Sequence, residues 1–70
     1  MYGTLSIVIP VFNEEQNLPE LLRRCLGVCE TMRRPFEIIL VDDGSSDASA
    51  KIITKAAEQN DGKVIGVLLN

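Results

Sequence analysis

Three apolar runs alternate along the chain with two stretches of helical periodicity. Leu5 to Phe12 (LSIVIPVF) is β-branched and apolar in both parities, the pattern of a strand buried on both faces and therefore of a central strand in a parallel sheet. Pro10 cannot donate to a ladder, so its place near the strand's end predicts that pairing stops there and the neighbouring strands splay into a groove where Phe12, Asn13 and Glu14 emerge. Phe36 to Val41 and Val64 to Leu69 read as the second and third strands.

Between the first two strands the stripe Leu18, Leu21, Leu22, Cys25, Leu26, Cys29, Met32 predicts one face of a helix running to about Thr31 or Met32. Asn13 or Asn17 is positioned to cap it, Pro19 falls in its first turn, and Glu14, Glu15 and Glu20 sit at its positive end. Gly27, costing up to ~1 kcal/mol relative to Ala in a helix interior, predicts close packing of helix on sheet. Asp42 to Asp47 is a turn rich in side-chain acceptors. Ser46 or Asp47 is placed to cap a second helix that turns Ile52, Ile53, Ala56 and Ala57 inward and stops near Asn60, Asp61 and Gly62.

The order β-α-β-α-β predicts an α/β, Rossmann-like parallel sheet. Right-handed crossovers between sequential neighbours put both helices on one face and leave the other bare. Seventy residues form at most one small domain, and a chain of that size buries only about 60% of its unfolded surface. An α/β sheet wants both faces covered, so the expectation is a fragment of something larger. Its uncovered apolar face, or an open strand edge, is expected to drive self-association.

A formal charge of -3 argues against nucleic-acid or anionic-membrane partners, which are held by clustered cations. The pairs Arg23/Arg24 and Arg33/Arg34 read better as a solvated helix face than as a phosphate clamp. Met1 to Val11 lacks the succession of a signal peptide, and no apolar run approaches the ~20 residues of a membrane span, so the chain is expected to be soluble and cytoplasmic. Cys25 and Cys29 share a helix face with parallel Cβ vectors, which suits buried thiols rather than a disulfide. With no His and no further Cys, a zinc site is not supported.

The chemistry-bearing residues collect where strands one and two end. Glu14, Glu15, Asp42, Asp43 and Asp47 are expected to converge at that carboxyl edge, where α/β proteins place their ligands. Helix capping accounts well for Glu15 and Asp47. Two successive carboxylates at the end of a buried strand, Asp42 and Asp43, point instead to a ligand or metal. A carboxylate there could accept a nucleobase N–H while Phe12 offers a face for stacking, although Phe12 serves equally as ordinary core. Neither a G-x-G-x-x-G nor a G-x-x-x-x-G-K-[ST] is present. The run Asp43, Ser45, Asp47 fails as a calcium loop because its twelfth position is Thr54 and its glycine is misplaced. No nucleophile elbow points to acyl transfer. A receiver-like, non-catalytic α/β module that binds Mg²⁺ or a protein through the acid cluster is the alternative class, though such modules carry their acid pair after the first strand.

Pro10-Val11-Phe12-Asn13-Glu14 and Val41-Asp42-Asp43-Gly44-Ser45-Ser46-Asp47, about thirty residues apart, resemble the P-x-[YF]-N-E and V-D-D-G-S-x-D motifs of the family 2 glycosyltransferases. Leu18 to Arg24 and Phe36 to Leu40 are further similar to the branch that loads sugars onto polyprenyl phosphates, which includes dolichol-phosphate mannosyltransferases and, nearest in look, undecaprenyl-phosphate formamidoarabinose transferases. The resemblance implies that residues 1–70 are the amino-terminal part of a GT-A nucleotide-sugar-binding domain. Pro10, Phe12 and Glu14 would then line the nucleotide pocket, Asp43 would accept the base N–H, and Asp42 would support its loop. By the same resemblance the donor is a UDP-sugar rather than a guanosine one, the acceptor is a polyprenyl phosphate, and Mg²⁺ or Mn²⁺ serves the full-length enzyme, anchored at the cytoplasmic face of the membrane. The family's D-x-D motif is not in these seventy residues, so the chain is expected to hold no metal and to have no transferase activity alone.

Overall fold

A computed structural model describes residues 3–69, so Met1, Tyr2 and Asn70 lie outside the described residues. The elements follow the order β1 (Leu5–Val11), α1 (Leu18–Thr31), β2 (Phe36–Asp43), α2 (Ser49–Gln59) and β3 (Val64–Leu69). All pairings are parallel and the strand order is β1-β2-β3, the Rossmann-like arrangement expected from the sequence. Leu5 stands beside Phe36, Ile38 beside Val64, and Asp43 beside Leu69.

Strand alternation decides what each face carries. Val11, Ile38, Leu40 and Val64 point toward the helices and form the core with Leu18, Leu22 and Ile53. Val8, Ile65 and Val67 point to the other face and stay exposed, so that face is bare as the crossover rule requires. Gly66 faces α2 because nothing larger fits: an added Cβ would stand 2.6 Å from Ile53 Cγ2.

The main chain resolves the contradiction posed by Pro10. The Leu5 N–H donates to the Pro35 carbonyl, so in β1 the odd residues direct their backbone groups to β2 and the even ones to the open edge. Pro10 therefore keeps its register with Val41 and loses no bond, its missing donor lying on the free edge. It does not halt the β1–β2 ladder, which continues to Val11 and Asp42.

Several local expectations are corrected. β1 stops at Val11, one residue short of Phe12, and β2 runs on to Asp43 because β3 supplies Leu69 as a partner. Leu21 and Met32 are exposed, since the sheet and α2 cover only part of the apolar stripe of α1. Gly27 is not a close approach: an added Cβ there meets nothing within 4 Å. The cap position of α1 is Asn17, but its side chain turns back to Glu14 Oε2 (3.2 Å) and makes no cap bond. In α2 the cap position is Ala48, and Asp47 does the work from one residue earlier, its Oδ1 accepting the Ser49 N–H at 2.9 Å. Cys29 is buried and Cys25 partly so, both as free thiols. Burial, with the neighbouring Cys29, pushes the Cys25 thiol pKa up.

Candidate functional site

The loop after β1 and the loop after β2 are joined by side chains into one unit. Asn13 enters the first with φ 50 and Gly44 the second with φ 77, the left-handed conformation that Asn and Gly tolerate. The Asn13 N–H donates to Ser45 Oγ at 2.9 Å, and Asn13 Oδ1 accepts the Ser46 N–H at 2.9 Å. The Glu14 N–H donates to Ser49 Oγ (2.9 Å) and the Glu15 N–H to Asp47 Oδ2 (3.2 Å). Three consecutive amides of the first loop thus end on side chains of the second loop and of the first residue of α2. Hydrogen bonds from Ser49, its side chain foremost, hold the Asp47 carboxyl below its usual range.

Asp42 and Asp43 do not share a pocket. The alternation of β2 sends Asp42 to the helix-covered face and Asp43 to the bare one. Asp42 is buried, and its two carboxylate oxygens accept the Ser45 N–H (3.2 Å) and the Ser45 hydroxyl. Its desolvation is offset by those bonds, which fold the turn that presents Ser45 to Asn13. Repulsion between adjacent carboxylates, the basis for singling out the pair, is relieved by their opposite directions.

Pro10 and Asp43 lie on the bare face by the same alternation, and Phe12 follows β1 directly at the carboxyl edge. Val11 and Asp42 are register partners, and Phe12 and Asp43 are the next residues along the two segments; both are exposed. The aromatic ring, 58% exposed, is not core. Glu14 stays in the loop with its amide and carbonyl engaged; its carbonyl accepts the Asn17 and Leu18 N–H groups. An exposed ring and a solvated carboxylate at the ends of two paired strands, next to loops fixed by side-chain bonds, are groups able to stack a flat heterocycle and to accept one of its N–H groups.

Sequence reasoning treated Asn13 as a helix cap and gave Ser45 and Ser49 no role, whereas these three tie the loops together. The tolerance of Asn for positive φ was the one available signal for Asn13. Nothing local marked Ser49, whose partner is thirty-five positions away.

Two concavities, of about 420 and 350 Å³, lie elsewhere: one between α1 and α2, the other beside Gly66 and Leu68. Among the described residues no group of three or more acidic, thiol or imidazole side chains is placed to hold a metal ion. No helix among them is long and apolar enough to cross a membrane.

The family model of "Glycosyl transferase family 2" matches residues 6–70. The chain belongs to this family. Among similar glycosyltransferases, the undecaprenyl-phosphate 4-deoxy-4-formamido-L-arabinose transferase of Pseudomonas fluorescens is 59% identical over 66 residues. Proteins of the same name from Klebsiella pneumoniae and Salmonella dublin are 56% and 50% identical over 66 residues. Each match covers 94% of this chain and 20% of the relative, so the chain spans about a fifth of the length of these curated glycosyltransferases. Both motif-bearing loops of this family 2 chain lie inside the matched region.

Proposed function

We propose that residues 1–70 form the amino-terminal part of a GT-A domain that recognises the nucleotide of a sugar donor, in a transferase that passes the sugar to a polyprenyl phosphate. The observation that carries this reading is the exposure of Phe12 and Asp43 at the ends of the paired strands β1 and β2. Phe12 stacks on the base and Asp43 accepts its ring N–H, with Pro10 and Glu14 flanking them and Asp42 setting the turn through Ser45. A carboxylate accepts the imide N–H of uracil, and the choice of a UDP-sugar over a guanosine donor rests on the family resemblance. The relatives' name supports the polyprenyl-phosphate acceptor. Mg²⁺ or Mn²⁺ enters the reading for the full-length transferase. Self-association of the seventy-residue chain through its uncovered surface completes it.

Calorimetric titration with UDP, GDP and Mg²⁺ alone tests the reading. Base-dependent binding of UDP, weakened roughly 5- to 150-fold by Phe12→Ala for the loss of ~1–3 kcal/mol of stacking and abolished by Asp43→Ala, is expected. Mg²⁺ binding indifferent to any nucleotide would instead support a metal-binding module.

A further inference from the structure

We infer that Asn13 and Ser45 are positioning residues for base recognition, closing a ring of bonds that sets the backbone of Phe12 and Asp43 before any nucleotide arrives. The inference rests on the nucleotide reading proposed above and deepens it by naming what fixes that site. The ring starts in the sheet, where Val11 and Asp42 are register partners. From Val11 the chain reaches Asn13, whose N–H donates to Ser45 Oγ at 2.9 Å. Ser45 returns to Asp42, its N–H (3.2 Å) and its hydroxyl both donating to that carboxylate. A hydroxyl can accept and donate at once, so Ser45 closes the circuit with no competing demand on its oxygen.

Phe12 is the single residue between Val11 and Asn13, and Asp43 and Gly44 are the two between Asp42 and Ser45. Both exposed recognition residues therefore stand between fixed neighbours. Val11 and Asp42 are buried at the base of the ring, while Asn13 and Ser45 hold each other at its top. The Asn13 N–H shares its peptide plane with the Phe12 carbonyl, so its bond to Ser45 restrains the backbone of Phe12 directly. A second bond braces the joint, Asn13 Oδ1 accepting the Ser46 N–H at 2.9 Å.

These bonds matter more for the ligand than their number suggests. Phe12 is largely exposed, so packing does little to hold it and the restrained backbone limits where its ring can point. Asn13 keeps a left-handed φ of 50, a conformation that persists only where surrounding bonds over-determine it. A segment ordered when the chain folds spares the nucleotide the entropy of ordering it on binding. Removing the ring should therefore loosen base binding while every group that touches the base is still present.

Calorimetry and NMR of the seventy-residue chain with UDP test the inference. Asn13→Gly keeps the left-handed backbone and the amide but loses Oδ1, and Ser45→Ala removes the hydroxyl on which the ring closes. Each should weaken UDP binding roughly 5- to 30-fold, the cost of ordering one residue's backbone at binding rather than at folding. The ring-current shift that Phe12 imposes on the uracil protons should shrink at saturation in both variants. Ser45→Thr, which restores a hydroxyl, should recover affinity and shift together. Gly66→Ala, destabilised away from these loops, should bind UDP as wild type does. Should Ser45→Ala fail to fold, Asn13→Gly carries the test. Unchanged affinity and shift in Asn13→Gly, or equal weakening by Gly66→Ala, overturns the positioning role and leaves the nucleotide reading standing. A wild-type chain that binds no UDP removes the reading and the positioning role with it.

Discussion

The Glu14 N–H donates to the Ser49 hydroxyl at 2.9 Å, and this bond pins the loop after β1 to the first turn of α2. Ser49 is fully buried and the bond part-buried, so Ser49→Ala removes the partner of the Glu14 amide at a site only partly open to water. An unsatisfied buried donor costs about 1–3 kcal/mol, a large share of the stability of so small a domain. Urea denaturation should show a loss of that size, with faster exchange of the Glu14 amide. An unchanged midpoint would mean that the loops are held by other contacts.

Adjacent carboxylates are expected to separate by role. Asp43 is exposed and makes no bond to its own turn, so Asp43→Ala should leave the denaturation midpoint within about 0.5 kcal/mol of wild type and abolish UDP binding. Asp42 is buried with its oxygens on Ser45, and Asp42→Ala should cost about 2 kcal/mol or more, because it removes both bonds and leaves the Ser45 N–H unsatisfied. UDP binding in that variant should fall only as the loop loosens. Equal destabilisation by the two substitutions would contradict the assignment of opposite faces.

Element order, the parallel sheet and the bare face were legible because hydrophobic period and crossover handedness depend on residues near in sequence or on chirality. The outward side of α1 was not: Leu21 and Met32 belong to a continuous apolar stripe, and only the arrangement of strands and helices shows that the stripe is wider than its cover. Gly27 misled because an intrinsically costly glycine reads as a packing requirement, whereas here it faces open space. The position of Phe12 and Asp43 at the carboxyl ends of β1 and β2 was legible from the apolar runs. The division of Asp42 from Asp43 follows from period two alone, and adjacency in sequence obscured it. The stapling by Asn13, Ser45 and Ser49 depends on partners more than thirty positions apart, which no local pattern carries.

Acid should loosen the molecule through two depressed carboxylates. Glu20 accepts from Arg23 and Arg24, which hold its pKa down to about 2 from 4.5, and Ser49 lowers that of Asp47 from 3.8. A depressed carboxylate stabilises the fold fully above its unfolded pKa and loses that contribution as pH falls through the folded value. Both contributions should therefore be intact above about pH 5 and fade below the ordinary carboxylate range, that of Glu20 ending near pH 2. Carboxyl chemical shifts followed against pH should show both depressions, and Asp47→Asn should flatten the acid limb of the stability curve. A Glu20 titrating near 4.5 would show that its two exposed arginines do not hold it in solution.

Two glycines should respond oppositely to the same substitution. Gly66 lies in β3 under α2, where an added methyl would stand 2.6 Å from Ile53 Cγ2. Ile53 is fully buried and Cγ2 branches at Cβ, so the side chain cannot swing aside without a rotamer change or movement of α2. Gly66→Ala should then destabilise by about 1–3 kcal/mol, the usual range for overpacking. Gly27 is exposed in the interior of α1 with nothing within 4 Å of its absent Cβ. There alanine removes backbone entropy from the unfolded chain without a clash, and Gly27→Ala should stabilise by up to ~1 kcal/mol. Thermal melts of the two variants give the signs directly. A gain at position 66 would show that α2 has room to lift from β3, and a loss at 27 would place that face of α1 in a contact beyond the single chain.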